Sequence, residues 1–188
     1  PAMSGEFAIV GAPATDHTGL GAGSAYIFQR TGPIWAEQAN LRGSSPQPSA
    51  SFGEAVGING PYALVGAHGH SRTWPVEDYV GATYLFKYAE GSWTELVTFV
   101  PANHDFGLRF GITIDYDGAR GVIGASSSAY VYAVPDGPPC IPALSGLGLG
   151  VGPVEPGAER FDIGGVDGRA APDAKASRGI AITSDVER

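Results

Sequence analysis

The residues best suited to chemistry in this chain are its four histidines and the acids beside them. His68-Gly69-His70 sets two imidazoles one residue apart, close enough for both to meet one ion at the end of a strand. His17 follows Asp16, and His104 precedes Asp105. Imidazole and carboxylate together suit a divalent transition metal such as zinc. Three protein ligands and an open water position would supply a hydroxide near neutral pH, able to attack an ester or phosphoester. His68, His70, His104, His17, Asp16 and Asp105 are therefore the candidate metal ligands, with no cofactor certain. The plainer alternative is a set of polar surface loops in which a His-x-His pair arises by chance. A second group, Trp74, Glu77, Asp78 and Tyr79, lies in one stretch with no counterpart elsewhere in the chain. An exposed loop tryptophan can anchor a ligand, or the loop can pack on itself.

Other catalytic patterns are absent or incomplete. Gly124-Ala125-Ser126-Ser127-Ser128 is not the Gly-x-Ser-x-Gly of a nucleophile elbow. Gly19-Leu20-Gly21-Ala22-Gly23 and the Gly-rich run 146–152 have neither dinucleotide spacing nor the Gly-Lys-Ser/Thr of a P-loop, and read as turn and linker.

The elements that must position these residues come from an internal repeat. Tyr26-Ile27-Phe28 recurs 58 positions on as Tyr84-Leu85-Phe86. At the same step Gly23 falls on Gly81, Trp35 on Trp93, Glu37 on Glu95, Phe52-Gly53 on Phe110-Gly111, and Gly60 on Gly118. A second anchor, Ala8-Ile9-Val10-Gly11-Ala12, returns as Ala63-Leu64-Val65-Gly66-Ala67 and as Gly121-Val122-Ile123-Gly124-Ala125. Each unit reads as four short β-rich segments between Gly, Asn, Asp and Pro turns. In the central unit strand A covers about 52–58, Asn59-Gly60 makes the hairpin turn, and strands B, C and D cover about 62–65, 81–88 and 93–100. A four-stranded antiparallel meander repeated in this way predicts an all-β β-propeller. Strands alternate in direction, so the B-to-C loops and the D-to-A connections emerge on one face, and all four histidines lie in them. Tyr26, Phe28, Trp35, Tyr84, Phe86 and Trp93 are repeat-equivalent and are expected to pack between blades.

Composition sets the outer bounds. Gly 29 and Pro 15 make up nearly a quarter of 188 residues, which rules out a helix bundle. Hydrophobic residues at 43% against 16% charged are enough for a core. A net charge of −8 without a basic cluster argues against nucleic acid as a partner. The single cysteine, Cys140, cannot close an internal disulfide. No apolar run is long enough to insert in a membrane and the opening residues lack a signal-peptide pattern, so the chain as given reads as soluble.

Phe52-Gly53, Leu64-Val65-Gly66-Ala67, Gly81-Ala82-Thr83-Tyr84-Leu85-Phe86 and Gly91-Ser92-Trp93-Thr94-Glu95 together resemble the FG-GAP repeats of bacterial surface proteins and of the integrin α-subunit propeller. The resemblance covers about residues 3–134. It implies propeller blades and an extracellular or cell-surface setting, without implying one activity. Of the turns equivalent to the integrin-type calcium loop, only Asp115-Tyr116-Asp117-Gly118 is acidic, and it reads as a tight hairpin turn with too few oxygen ligands.

The first unit begins after most of its strand A, and the third stops near Tyr132 without a strand D. Residues 1–137 thus read as partial, full and partial blades, and open edges predict self-association, most simply a homodimer completing a wheel of about six blades. Residues 138–152 form a Pro/Gly-rich linker, in which Cys140-Ile141-Pro142-Ala143-Leu144 resembles the start of a bacterial sorting signal. Residues 153–188 read as a polar tail with a possible edge strand at Gly179-Ile180-Ala181-Ile182-Thr183. Two functions follow: a surface propeller that binds a protein or glycan through the loop face, and a metal-dependent hydrolase that uses the same face.

Overall fold

The structure, a computed structural model, describes residues 1–71, 78–101, 106–133 and 159–162. The first repeat folds into β1 (Ala2–Ser4), β2 (Phe7–Ala12), β3 (Ser24–Thr31) and β4 (Ile34–Leu41), hydrogen-bonded in that order. The second gives β5 (Phe52–Asn59), β6 (Tyr62–Ala67), β7 (Ala82–Ala89) and β8 (Ser92–Phe99). The third gives β9 (Thr113–Tyr116), β10 (Arg120–Gly124), β11 (Ser128–Ala133) and β12 (Glu159–Asp162). All pairings within these sheets are antiparallel. The central strands match the sequence expectation to within a residue or two. Even the register shift recurs, between Ile27 and Phe28 in one sheet and between Leu85 and Phe86 in the next.

The third repeat differs from expectation at its outer edge. It lacks a local strand D, yet β12, which follows residues 134–158 in the sequence, pairs antiparallel with β11. A four-stranded sheet therefore forms without the Gly-x-Trp signature that marks β8. The expected edge strand at 179–183 and the sorting-signal resemblance at 140–144 lie outside the described residues.

The three sheets pack face to face in chain order. Period-two alternation along β6 sends Ala63, Val65 and Ala67 into a core shared with Phe7, Ile9 and Ile27, and Tyr62 and Leu64 into one shared with Phe110, Ile123 and Tyr130. Both faces of the middle sheet are covered, so β6 is buried from end to end. Tyr84, Phe86 and Trp93 pack between blades as expected: Tyr84 and Phe86 share a core with Phe7, Ile9 and Ile27 of the first sheet, and Trp93 lies edge-on to Phe7 at 5.5 Å. Their counterparts Tyr26, Phe28 and Trp35 do not, because the face of the first sheet that carries them has no sheet over it among the described residues.

Backbone, not side chains, joins the sheets at their loop ends. Phe52 N–H donates to Ala22 O at 3.0 Å and Ser51 N–H to Gly21 O at 3.0 Å. Fifty-eight residues on, Phe110 N–H donates to Val80 O at 2.9 Å and Arg109 N–H to Tyr79 O at 3.0 Å. Gly11 lies against Gly53, and Gly66 against Gly111, so closely that a Cβ on Gly11 or Gly66 would fall on the facing carbonyl oxygen. Gly66 has an ordinary φ, so its requirement is purely one of space. Gly66→Ala should destabilise the protein by about 2–3 kcal/mol through forced separation of two sheets. Gly60→Ala, at a turn with open space around it, should cost about 1 kcal/mol. Chemical denaturation midpoints for the two variants check the order.

Candidate functional site

The B-to-C loops and D-to-A connections do share one face, and the joint just described fixes them. In the first B-to-C loop Thr15 N–H donates to Ala12 O at 3.3 Å, and Thr15 O accepts from Gly23 N–H at 3.0 Å. In the second, His70 N–H donates to Ala67 O at 3.0 Å and His70 O accepts from Gly81 N–H at 2.9 Å. His70 thus takes the turn position that Thr15 holds. Its ring is buried edge-on to Tyr84, with Nδ1 3.4 Å from the Tyr84 hydroxyl. Burial raises the Tyr84 hydroxyl far above its usual pKa, with the Glu95 charge adding to the effect.

The candidate metal ligands are largely engaged separately. Asp16 closes its own loop, its Oδ1 accepting Gly21 N–H at 2.7 Å. His17 Nε2 lies 2.5 Å from Gly23 O, which can only accept, so Nε2 carries a proton, and the buried Nδ1 has no hydrogen-bond partner among the described residues. His68 is half-buried, and its charged neighbours are Glu54 and Arg109, whereas His70 faces Asp78. The two rings of the His-x-His pair therefore sit in different charge surroundings. Among the described residues no group of three or more His, Cys, Asp or Glu is placed to hold a metal ion. His104 and Asp105, like Trp74 and Glu77, lie outside the described residues.

The turn at Asp117 behaves as the sequence suggested. Its Oδ1 accepts Ala119 N–H at 2.8 Å and Arg120 N–H at 2.7 Å, closing the β9–β10 hairpin. Those amides hold the carboxyl below its usual pKa, first through Arg120 N–H and then through Ala119 N–H.

The remaining ligand-binding candidates, Asp78 and Tyr79, form a definite local structure. Their carbonyls accept Gly107 N–H at 2.8 Å and Arg109 N–H at 3.0 Å, which pins the second B-to-C loop to the connection that follows β8. Gln47 reaches the same loop from the other side, its amide donating to Ser71 O at 2.8 Å and accepting from Ser71 N–H at 2.9 Å. Tyr79 has φ of 47°, the left-handed region, where the first repeat places Gly21 at 64°. Its ring meets Phe106 edge-on at 6.5 Å, and Phe106 is 77% exposed. The sequence reading passed over Phe106. Its signal was the replacement of Pro48, its repeat counterpart, by an aromatic at the tip of a loop. A cleft between the first two sheets, lined by His17, Gly23, Pro46, Phe52 and Tyr84, has room for only about one water molecule. It is too small for a substrate, and what the face presents is the ring pair of Tyr79 and Phe106.

A family model for the FG-GAP repeat matches residues 2–28 and 35–86, that is, the first sheet and the second as far as β7. No curated protein matches the chain.

Burial holds both His68 and His70 below the ordinary histidine value of 6.5, so the folded state favours neutral rings. Stability from this source is complete above pH 6.5 and is lost as pH falls below it, because the unfolded chain then binds protons that the folded chain resists. The melting temperature should drop between pH 7 and pH 5, and His70→Gln should make that drop shallower whatever it does to stability at pH 7. Equal slopes for the two proteins would show that His70 is not the group responsible.

Proposed function

From the FG-GAP repeats carried by residues 2–86, we propose that this chain is a β-propeller-type binding module of extracellular or cell-surface setting, which takes a protein or glycan on its loop face. The observation that carries the reading is Tyr79. A bulky residue in the left-handed region is disfavoured, and the equivalent position of the first repeat is Gly21. Strain held by surrounding hydrogen bonds concentrates at functional positions, and here it aims an aromatic ring at a second, exposed one. The paired rings of Tyr79 and Phe106 offer flat apolar area of the kind a sugar or a peptide side chain stacks on. The scaffold beneath is rigid, so little ordering is lost when a ligand binds. The hydrolase reading has no comparable support, since the metal ligands it requires do not converge among the described residues.

Two variants test this reading against panels of immobilised glycans and surface proteins. Phe106→Ala should weaken binding about tenfold or more with the melting temperature unchanged, since the side chain is exposed. Tyr79→Gly should weaken binding similarly while leaving stability equal or higher, because glycine relieves the backbone. A marked loss of stability in Tyr79→Gly would instead make the residue a structural plug of its loop.

A further inference from the structure

Each sheet of the stack has two unlike faces. The central cross-strand pair on the face toward the preceding sheet combines a β-branched residue with a tyrosine: Val65 with Tyr84 in the second sheet and Ile123 with Tyr130 in the third. On the face toward the following sheet the pair is aliphatic: Ile9 with Ile27 in the first sheet and Leu64 with Leu85 in the second. Joints form by packing an aliphatic face of one sheet on the aromatic face of the next.

Among the described residues both kinds of face also occur uncovered. The first sheet repeats the centre of the aromatic face, with Val10 opposite Tyr26, then Phe28, Trp35 and Glu37 at the positions of Phe86, Trp93 and Glu95. Val10 is 41% and Trp35 37% exposed, and Met3 beside them 69%. The third sheet repeats the aliphatic face, with Val122 opposite Val131 and Val122 43% exposed. A solvated sheet face has no use for three aromatic rings and a valine at joint positions.

We propose that the aliphatic face of the third sheet in one copy of this chain docks on the aromatic face of the first sheet in a second copy, and reciprocally. Two copies would then close a ring of about six blades. The chain itself carries the two complementary halves of the joint, which selects a second copy as the occupant. One further position fits. Arg120 stands where the first sheet has Phe7, the residue that packs on Trp93, and so falls on Trp35 of the other copy. Trp35 already accepts the Arg30 guanidinium 5.8 Å from its ring, and Glu37 on the same face supplies the countercharge for a second one. This inference is independent of what the loop face binds.

Light scattering on the 188-residue chain across a range of concentrations is the test, and twice the 19.3 kDa monomer mass is expected. Val10→Arg and Val122→Arg should each raise the dimer dissociation constant about tenfold or more. Both side chains are exposed in the single chain, so circular dichroism should show the fold retained. An equimolar mixture of the two variants should regain association, because one of its two joints then has both wild-type faces. A monomer at every concentration overturns the proposal, as does a dimer indifferent to either variant. Sensitivity to Val10→Arg alone would mean that two first sheets meet each other, and also overturns it.

Discussion

The contact on which the rest depends is backbone against backbone, Gly11 on Gly53 and Gly66 on Gly111. With no side chain between them, neighbouring sheets converge at their loop ends until peptide groups can hydrogen-bond from one repeat to the next, and the parallel bridges Gly23 to Phe52 and Gly81 to Phe110 form there. Once that end is pinned, only side chains of fitting size can occupy the widening space behind it. Alanine lines the narrow part, as at Ala67 and Ala82, and rings such as Tyr84 and Phe86 fill the space beyond. Packing at native density follows from the geometry of the pin.

The same pin dictates backbone conformation in the loops whatever residues they contain. Ser49 and Gly107, Ser51 and Arg109, and Gly21 and Tyr79 are equivalent pairs, and each residue has a positive φ between 47° and 72°. Where glycine occupies such a position the conformation costs little, and where Tyr79 or Arg109 does it costs about 1–2 kcal/mol. The joint hydrogen bonds on either side over-determine these residues, so the strain persists instead of relaxing. A rigid frame can therefore present non-glycine side chains in directions that an unconstrained loop would avoid. Side-chain identity at these positions is free to vary from repeat to repeat, which is where a binding face acquires its individuality.

Strands and their order were legible in the sequence because two periods coincide there, alternation within a strand and the 58-residue step between units. The residues of the joint were visible as repeats, in Gly23, Gly81 and the two Phe-Gly pairs, but the backbone contact they make was not. Nor were ring directions in the loops. His68 and His70 look like one site in the sequence, yet the turn that follows β6 buries His70 against Tyr84 and leaves His68 beside Glu54 and Arg109. Comparison with Thr15 would have shown His70 to be a turn residue, but the unequal lengths of the two loops hide that equivalence. β12 was illegible for another reason. A four-residue strand that pairs through its backbone with the edge of β11 needs no pattern of its own.

Polarity of the sheets explains why three copies of one repeat bury so differently. An aromatic face and an aliphatic face are complementary in shape: rings project, and the branched residues opposite leave shallow space between them. Stacking aromatic on aromatic would leave both sets of rings poorly seated, and aliphatic on aliphatic would leave a gap, so a sheet of this kind adds only in one direction. The middle sheet satisfies both faces and reads as a continuous apolar run along β6, as a strand covered on two sides must. β2 and β10, at equivalent positions, carry the same kinds of residue but keep one face exposed, at Val10 and Val122 respectively. Their outward residues follow the joint pattern and not the polar alternation of a solvated sheet. A repeat whose faces are complementary but not self-complementary therefore stays incomplete at both ends for any number of stacked units, until the first aromatic face meets the last aliphatic one.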